Sequence, residues 1–195
     1  MDALMHGVRR LTRWGLWLGG ALVLAAAILI GIDVVLRKFF ARSIGGADEL
    51  AGYALAIGTA WALGAALLDR AHIRIDSLYV LLPARLRLVL DFAGLILFVG
   101  FFGLIARHAW KVIEQSWSAG SRSQSALQTP TVIPQAIWFV GLVLFVVVGI
   151  VLFVYALRLA ARGETSAVAA AIGTRSAQED VEAEIARLKE RQSRG

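Results

Sequence analysis

Long apolar blocks alternate with short charged segments along this chain. Residues 15–32, 50–68, 92–106 and 132–157 carry no charged side chain at all. A soluble domain distributes its apolar residues in short periodic runs, so blocks of this length point to lipid as the solvent. At about 1.5 Å rise per residue, each can cross roughly 30 Å of hydrocarbon as a helix. The pattern predicts an all-α fold: an integral membrane four-helix bundle with spans at about 14–36, 49–68, 88–110 and 132–157. The third uncharged stretch is short and reaches across only with residues 88–90 and Asp91 added.

The first block also admits a second reading. Arg9, Arg10 and Arg13 precede it, and Ala25-Ala26-Ala27 resembles a cleavage site. The uncharged run continues to Ile32, longer than a signal core, so a retained helix is expected.

The segments between blocks differ in kind. Residues 72–82 begin as an alternation (Ile73, Ile75) and turn helical (Leu78, Leu81, Leu82), with Arg74 and Asp76 between and Pro83 restarting the chain. This is read as an interfacial helical segment between the second and third spans, with an ordinary loop as the alternative. The third loop, 116–134, contains Gly120, Pro130 and Pro134 and is long for a connection, which suggests an external contact. In the tail, 163–195, residues up to Arg175 are small or polar. Ser176 and Glu179 then have capping-box spacing, and Val181, Ile185 and Leu188 form one stripe. Either a short helix at 177–192 or a partly disordered tail fits.

Charge fixes an expected orientation. The net charge is +6, on a chain that is 58% hydrophobic. Nucleic acid is rejected as a partner because the basic residues flank the apolar blocks. The tails and the second loop hold 14 of the Lys and Arg residues, against 6 in the first and third loops. The positive-inside rule therefore places the N-terminal tail 1–13 and the C-terminal tail in the cytoplasm. Cysteine is absent, which excludes disulfides and thiolate chemistry.

Little in the sequence suggests catalysis. Asp33 precedes Arg37 by one helical turn, fitting either an ion site or an interfacial anchoring pair, with the pair favoured because Asp33 lies near the span end. Asp91 suits a helix N-terminus or a pair with Arg87. His72 and Asp76 are one turn apart, but no third metal ligand is evident. His6, His72 and His108 all lie in tails or near span ends, unlike membrane haem ligands. No phosphate loop or nucleophile motif is present, so neither an enzyme nor a cofactor is expected.

The second helix has the clearest packing signature. Gly52, Ala56, Ala60 and Gly64 recur every four residues, as do Ala54, Gly58, Ala62 and Ala66 on roughly the opposite face. Small residues permit close backbone approach in lipid. One face serves the chain's own bundle. The other is available to a protein partner or to further internal packing. Trp61 and Tyr53 fall on a third side as anchors.

These segments resemble the small membrane subunit of tripartite ATP-independent periplasmic (TRAP) transporters. Val34-Val35-Leu36-Arg37-Lys38-Phe39-Phe40 closes the first span as in that family, and Ala47-Asp48-Glu49-Leu50-Ala51 opens the second. Leu68-Asp69-Arg70-Ala71-His72-Ile73-Arg74-Ile75-Asp76 is similar to the segment after the second span, with Asp69 a looser match. Ser125-Ala126-Leu127-Gln128-Thr129-Pro130, with Ile133-Pro134, is similar to the stretch before the fourth. The resemblance covers about residues 14–158 and leaves the tail outside.

It implies a non-catalytic subunit in a bacterial inner membrane that scaffolds a large transport subunit. That subunit moves an organic acid, usually coupled to sodium, after capture by a periplasmic substrate-binding protein, and the small subunit takes part in docking the binding protein. Gly52, Ala56, Ala60, Gly64 and Trp61 then become candidates for subunit packing. Arg37, Asp48 and Glu49 become candidates for polar contact or docking, and Arg70, His72 and Asp76 for bracing the cytoplasmic turn. A respiratory membrane anchor, or a small ion transporter using Asp33 and Asp91, are the rival classes.

Overall fold

A computed structural model describes residues 2–70, 79, 82–173 and 185. The chain forms helices α1 (Asp2–Phe40), α2 (Ala47–Leu68), α3 (Ala84–Ser118), α4 (Val132–Ala161) and α5 (Thr165–Ile172). The first four are long and apolar enough to cross a membrane, and each contains one of the four uncharged blocks. The architecture is a helical membrane bundle.

Two features depart from the sequence reading. First, α3 continues past residue 110 to Ser118, so Lys111 and Glu114 lie on the helix and the connection to α4 shrinks to 119–131. Charge ends a lipid-facing stretch without ending a helix, because the backbone bonds run on regardless of solvent. Second, α5 forms within the tail segment read as merely small and polar. Val168 and Ile172, one turn apart, are buried and give the short helix its docking face. The expected segments at 72–82 and 177–192 lie outside the described residues except for Tyr79, Leu82 and Ile185.

The spanning helices pack in the order α1, α2, α4, α3, and α5 closes against α4 and α3. The two outer seams use different chemistry. Between α1 and α2 the backbones touch: a Cβ added at Gly19 would lie 2.5 Å from the Gly58 carbonyl oxygen, and one at Gly15 would lie 2.6 Å from that of Trp61. In lipid, such contact supplies the dispersion that replaces a hydrophobic drive.

Between α4 and α3, rings interlock edge to face. Phe145 meets Phe98 at 5.4 Å and Phe102 at 4.7 Å, and Phe153 meets Phe92 at 5.8 Å between centroids. Phe145 and Val148 are the centre of the core, with no more than 1% of their surface exposed.

Candidate functional site

The polar side chains concentrate where α1 ends, α2 begins and the α3–α4 loop returns. Asp33 lies near the end of α1 and is only 2% exposed. A carboxylate so placed needs donors, and the next loop provides them. Ala41 leaves the helix with φ 50°, turning residues 41–46 back over α1. The Ser43 hydroxyl and the Ile44 N–H both donate to Asp33 Oδ1, at 2.9 and 2.7 Å. Arg37, one turn along, pairs with Oδ2 at 2.5 Å and reaches across to Asp48 of α2 at 3.5 Å. Asp33 therefore takes the anchoring arrangement and fixes the α1–α2 loop to its own helix.

Glu49 makes the second attachment. It lies in the first turn of α2, where the helix dipole favours a carboxylate. The Ser125 hydroxyl donates to Glu49 Oε2, and the hydroxyls of Tyr53, Thr129 and Ser123 stand close around the group. Oε1 is buried and, among the described residues, accepts no hydrogen bond of ordinary geometry.

Ser125 is held in place by a tight loop. Ser123 N–H donates to Thr129 O at 2.9 Å, Thr131 N–H to Ser121 O at 3.1 Å, and Thr129 N–H to Ser123 Oγ at 3.0 Å. Gly46, with φ 89°, presses its backbone against Leu127; a Cβ there would lie 2.6 Å from that side chain. Hydrogen bonds and this contact together form a clasp joining the first and third loops.

The opposite end is held more loosely. Arg70 leaves α2 with φ 55°, and its guanidinium donates to the carbonyls of Ala169 and Gly173 at 3.4 and 3.5 Å. A cation there suits the C-terminus of α5. Asp91, 2% exposed, accepts from the Tyr79 hydroxyl at 2.6 Å. His72 and Asp76 lie outside the described residues.

The packing candidates on α2 separate into two groups. Ala60 is buried against Gly141 of α4, and Gly64 lies between Thr12 of α1 and Val148 of α4. The Trp61 indole N–H donates to the Ile137 carbonyl at 3.0 Å. These three are occupied inside the chain. Gly52 and Ala56 are exposed, with open space where a Cβ at Gly52 would stand. Among the docking candidates, Asp48 is exposed, Arg37 is half-exposed and Glu49 is turned into the clasp.

Sequence reasoning missed Ser43, Ser125 and Tyr79 as partners. Ser125 belongs to a motif segment that could be read, but its meeting with Glu49 crosses 76 positions that only the fold brings together. Chemically, the clasp holds loops and fixes charges; both of its inner carboxylates are engaged in that task.

The family model described as tripartite ATP-independent periplasmic transporters, DctQ component, matches residues 26–159. That stretch contains the whole clasp and excludes α5. No individual curated protein and no solved structure matches the chain.

Proposed function

This chain belongs to the DctQ family, the small membrane component of TRAP transporters, and from that premise we propose that it is the stationary partner of a large transport subunit. It has no reaction of its own. It widens the fixed membrane footprint against which the large subunit moves an organic acid. The coupling ion, expected to be sodium, binds in the large subunit. In this reading both termini face the cytoplasm and the clasp faces the periplasm, an orientation that the distribution of Lys and Arg supports.

The observation that carries this reading is the closed clasp. Asp33 of α1 and Glu49 of α2 hold two loops to two helices, leaving Asp48 and Arg37 at the rim as fixed charges. A fixed rim suits docking of a soluble binding protein, because preorganised loops lose less entropy on contact. The large subunit is assigned to the exposed start of α2, where Gly52 and Ala56 allow close approach beside Leu55, itself 56% exposed.

Affinity purification of the tagged chain from its native membrane tests the proposal. A large polytopic protein is expected to copurify. Gly52→Leu combined with Ala56→Leu should remove it without lowering the Tm of the chain. Recovery of the wild-type chain alone would refute the proposal.

A further inference from the structure

The four apolar blocks are not level with one another in the folded bundle. Direct contacts define one level through all four spanning helices. A Cβ at Gly64 of α2 would lie 2.9 Å from Thr12 of α1 and 3.6 Å from Val148 of α4, and the next residue of α4, Gly149, faces Val99 of α3. At this level α1 is in its charged zone, for Thr12 is flanked by exposed Arg9, Arg10 and Arg13. At the same level α3 is at its most apolar, with Val99 at the midpoint of uncharged residues 92–106 and Leu97 and Phe101 exposed beside it.

A second level repeats the mismatch. Gly19 meets Gly58, Ala60 meets Gly141, and Phe139 packs at a tilt against Trp110. Gly19 is within its uncharged block, whereas Trp110 is already past its own.

Measured from the Thr12–Val99 level toward the clasp, the midpoints of the uncharged blocks stand about 17 Å up on α1, 8 Å on α2, 5 Å on α4 and 0 Å on α3, at 1.5 Å per residue. That sequence follows the packing order of the helices. Four separately written blocks therefore fall on one slope. Neighbouring helices stand about 8–10 Å apart, so the row is roughly 27 Å wide and the slope is about 30°.

We infer that the bilayer holds this bundle obliquely, with the row α1–α2–α4–α3 inclined by about 30° so that all four apolar blocks share one slab. Such an inclination is within the range of membrane helices and lengthens each crossing to about 23 residues. Two charged helix ends are then lifted into water on opposite sides. On the clasp side it is the end of α3, residues 111–118, with exposed Lys111 and Glu114. On the other it is the start of α1, with Arg9 and Arg10. This inference goes beyond the subunit reading: it requires that the helices cross a bilayer, but needs no partner.

Nitroxide depth measurement tests it. The full chain has no cysteine, so single labels at Leu11→Cys, Leu97→Cys, Ile28→Cys and Gln115→Cys are unambiguous. All four positions are exposed. Leu11 and Leu97 lie at one level of the bundle, and Ile28 and Gln115 at another, about 17 residues or 26 Å nearer the clasp. In lipid nanodiscs, labels at Leu97 and Ile28 should relax with oxygen and those at Leu11 and Gln115 with an aqueous nickel chelate, each preference being several-fold. Wild-type Tm for each labelled chain establishes folding. If the two members of either pair report the same depth, the bundle stands upright and the inference fails.

Discussion

The two ends of the bundle are fastened by opposite means. At the clasp end, directional hydrogen bonds join loops to buried carboxylates: Asp33 to Ser43 and Ile44, Glu49 to Ser125. At the α5 end, apolar burial dominates. Met5, Val168 and Ile172 close the core, and the polar links among the described residues are the two long bonds of Arg70 and the single bond from Tyr79 to Asp91. The clasp lies within the family match and α5 outside it. Directional fastening fixes geometry and depends on single atoms, whereas apolar fastening tolerates change in proportion to the volume removed.

Substitutions at each end should expose this difference. Asp33→Ala should have the largest effect, lowering Tm by about 5 °C or more and opening residues 41–46 to protease, because it strands the Ile44 N–H and the Arg37 charge. Asp33→Asn, which keeps an acceptor for Ile44, should recover part of that loss.

Gly46→Val comes next. It combines a φ of 89° with a collision against Leu127, and should cost about 2–3 kcal/mol. Gly163→Val is the matched control near α5. Its φ is 76° but the space beside it is open, so only the backbone cost of about 1 kcal/mol is expected. Equal effects at the two glycines would remove the distinction between the ends.

Val168→Ala should cost about 1–2 kcal/mol in proportion to the methyl groups lost from a fully buried site. Arg70→Lys should cost less than about 1 kcal/mol, since its two bonds are long and one of them is exposed. Denaturant or thermal unfolding in a fixed detergent ranks the series.

Much of the fold was legible because lipid imposes one strong rule, an uninterrupted apolar block for each crossing. That rule says nothing beyond the slab. The run of α3 to Ser118 therefore goes beyond the span end expected at about residue 110, and the eight residues of α5 are too few for a period to stand out.

The small-residue stripes of α2 were visible, but their partners were not. Gly58 meets Gly19 and Gly64 meets Thr12, pairings set by helix order and register. At the clasp, the segments 47–51 and 125–130 were each recognisable, and Asp33 and Arg37 were read as a pair. The folding of residues 41–46 back onto Asp33 was not legible, because it depends on the left-handed turn at Ala41, a conformation that alanine seldom adopts.

The central claim is that the exposed start of α2 is covered by a large transport subunit. A photo-crosslinking residue placed at Ala56 in the native host tests it most directly, with one at buried Ala60 as the internal control. The account predicts a crosslink from position 56 to a large polytopic protein and none to such a protein from position 60. Capture of lipid alone from position 56, in cells that retain transport, would contradict it.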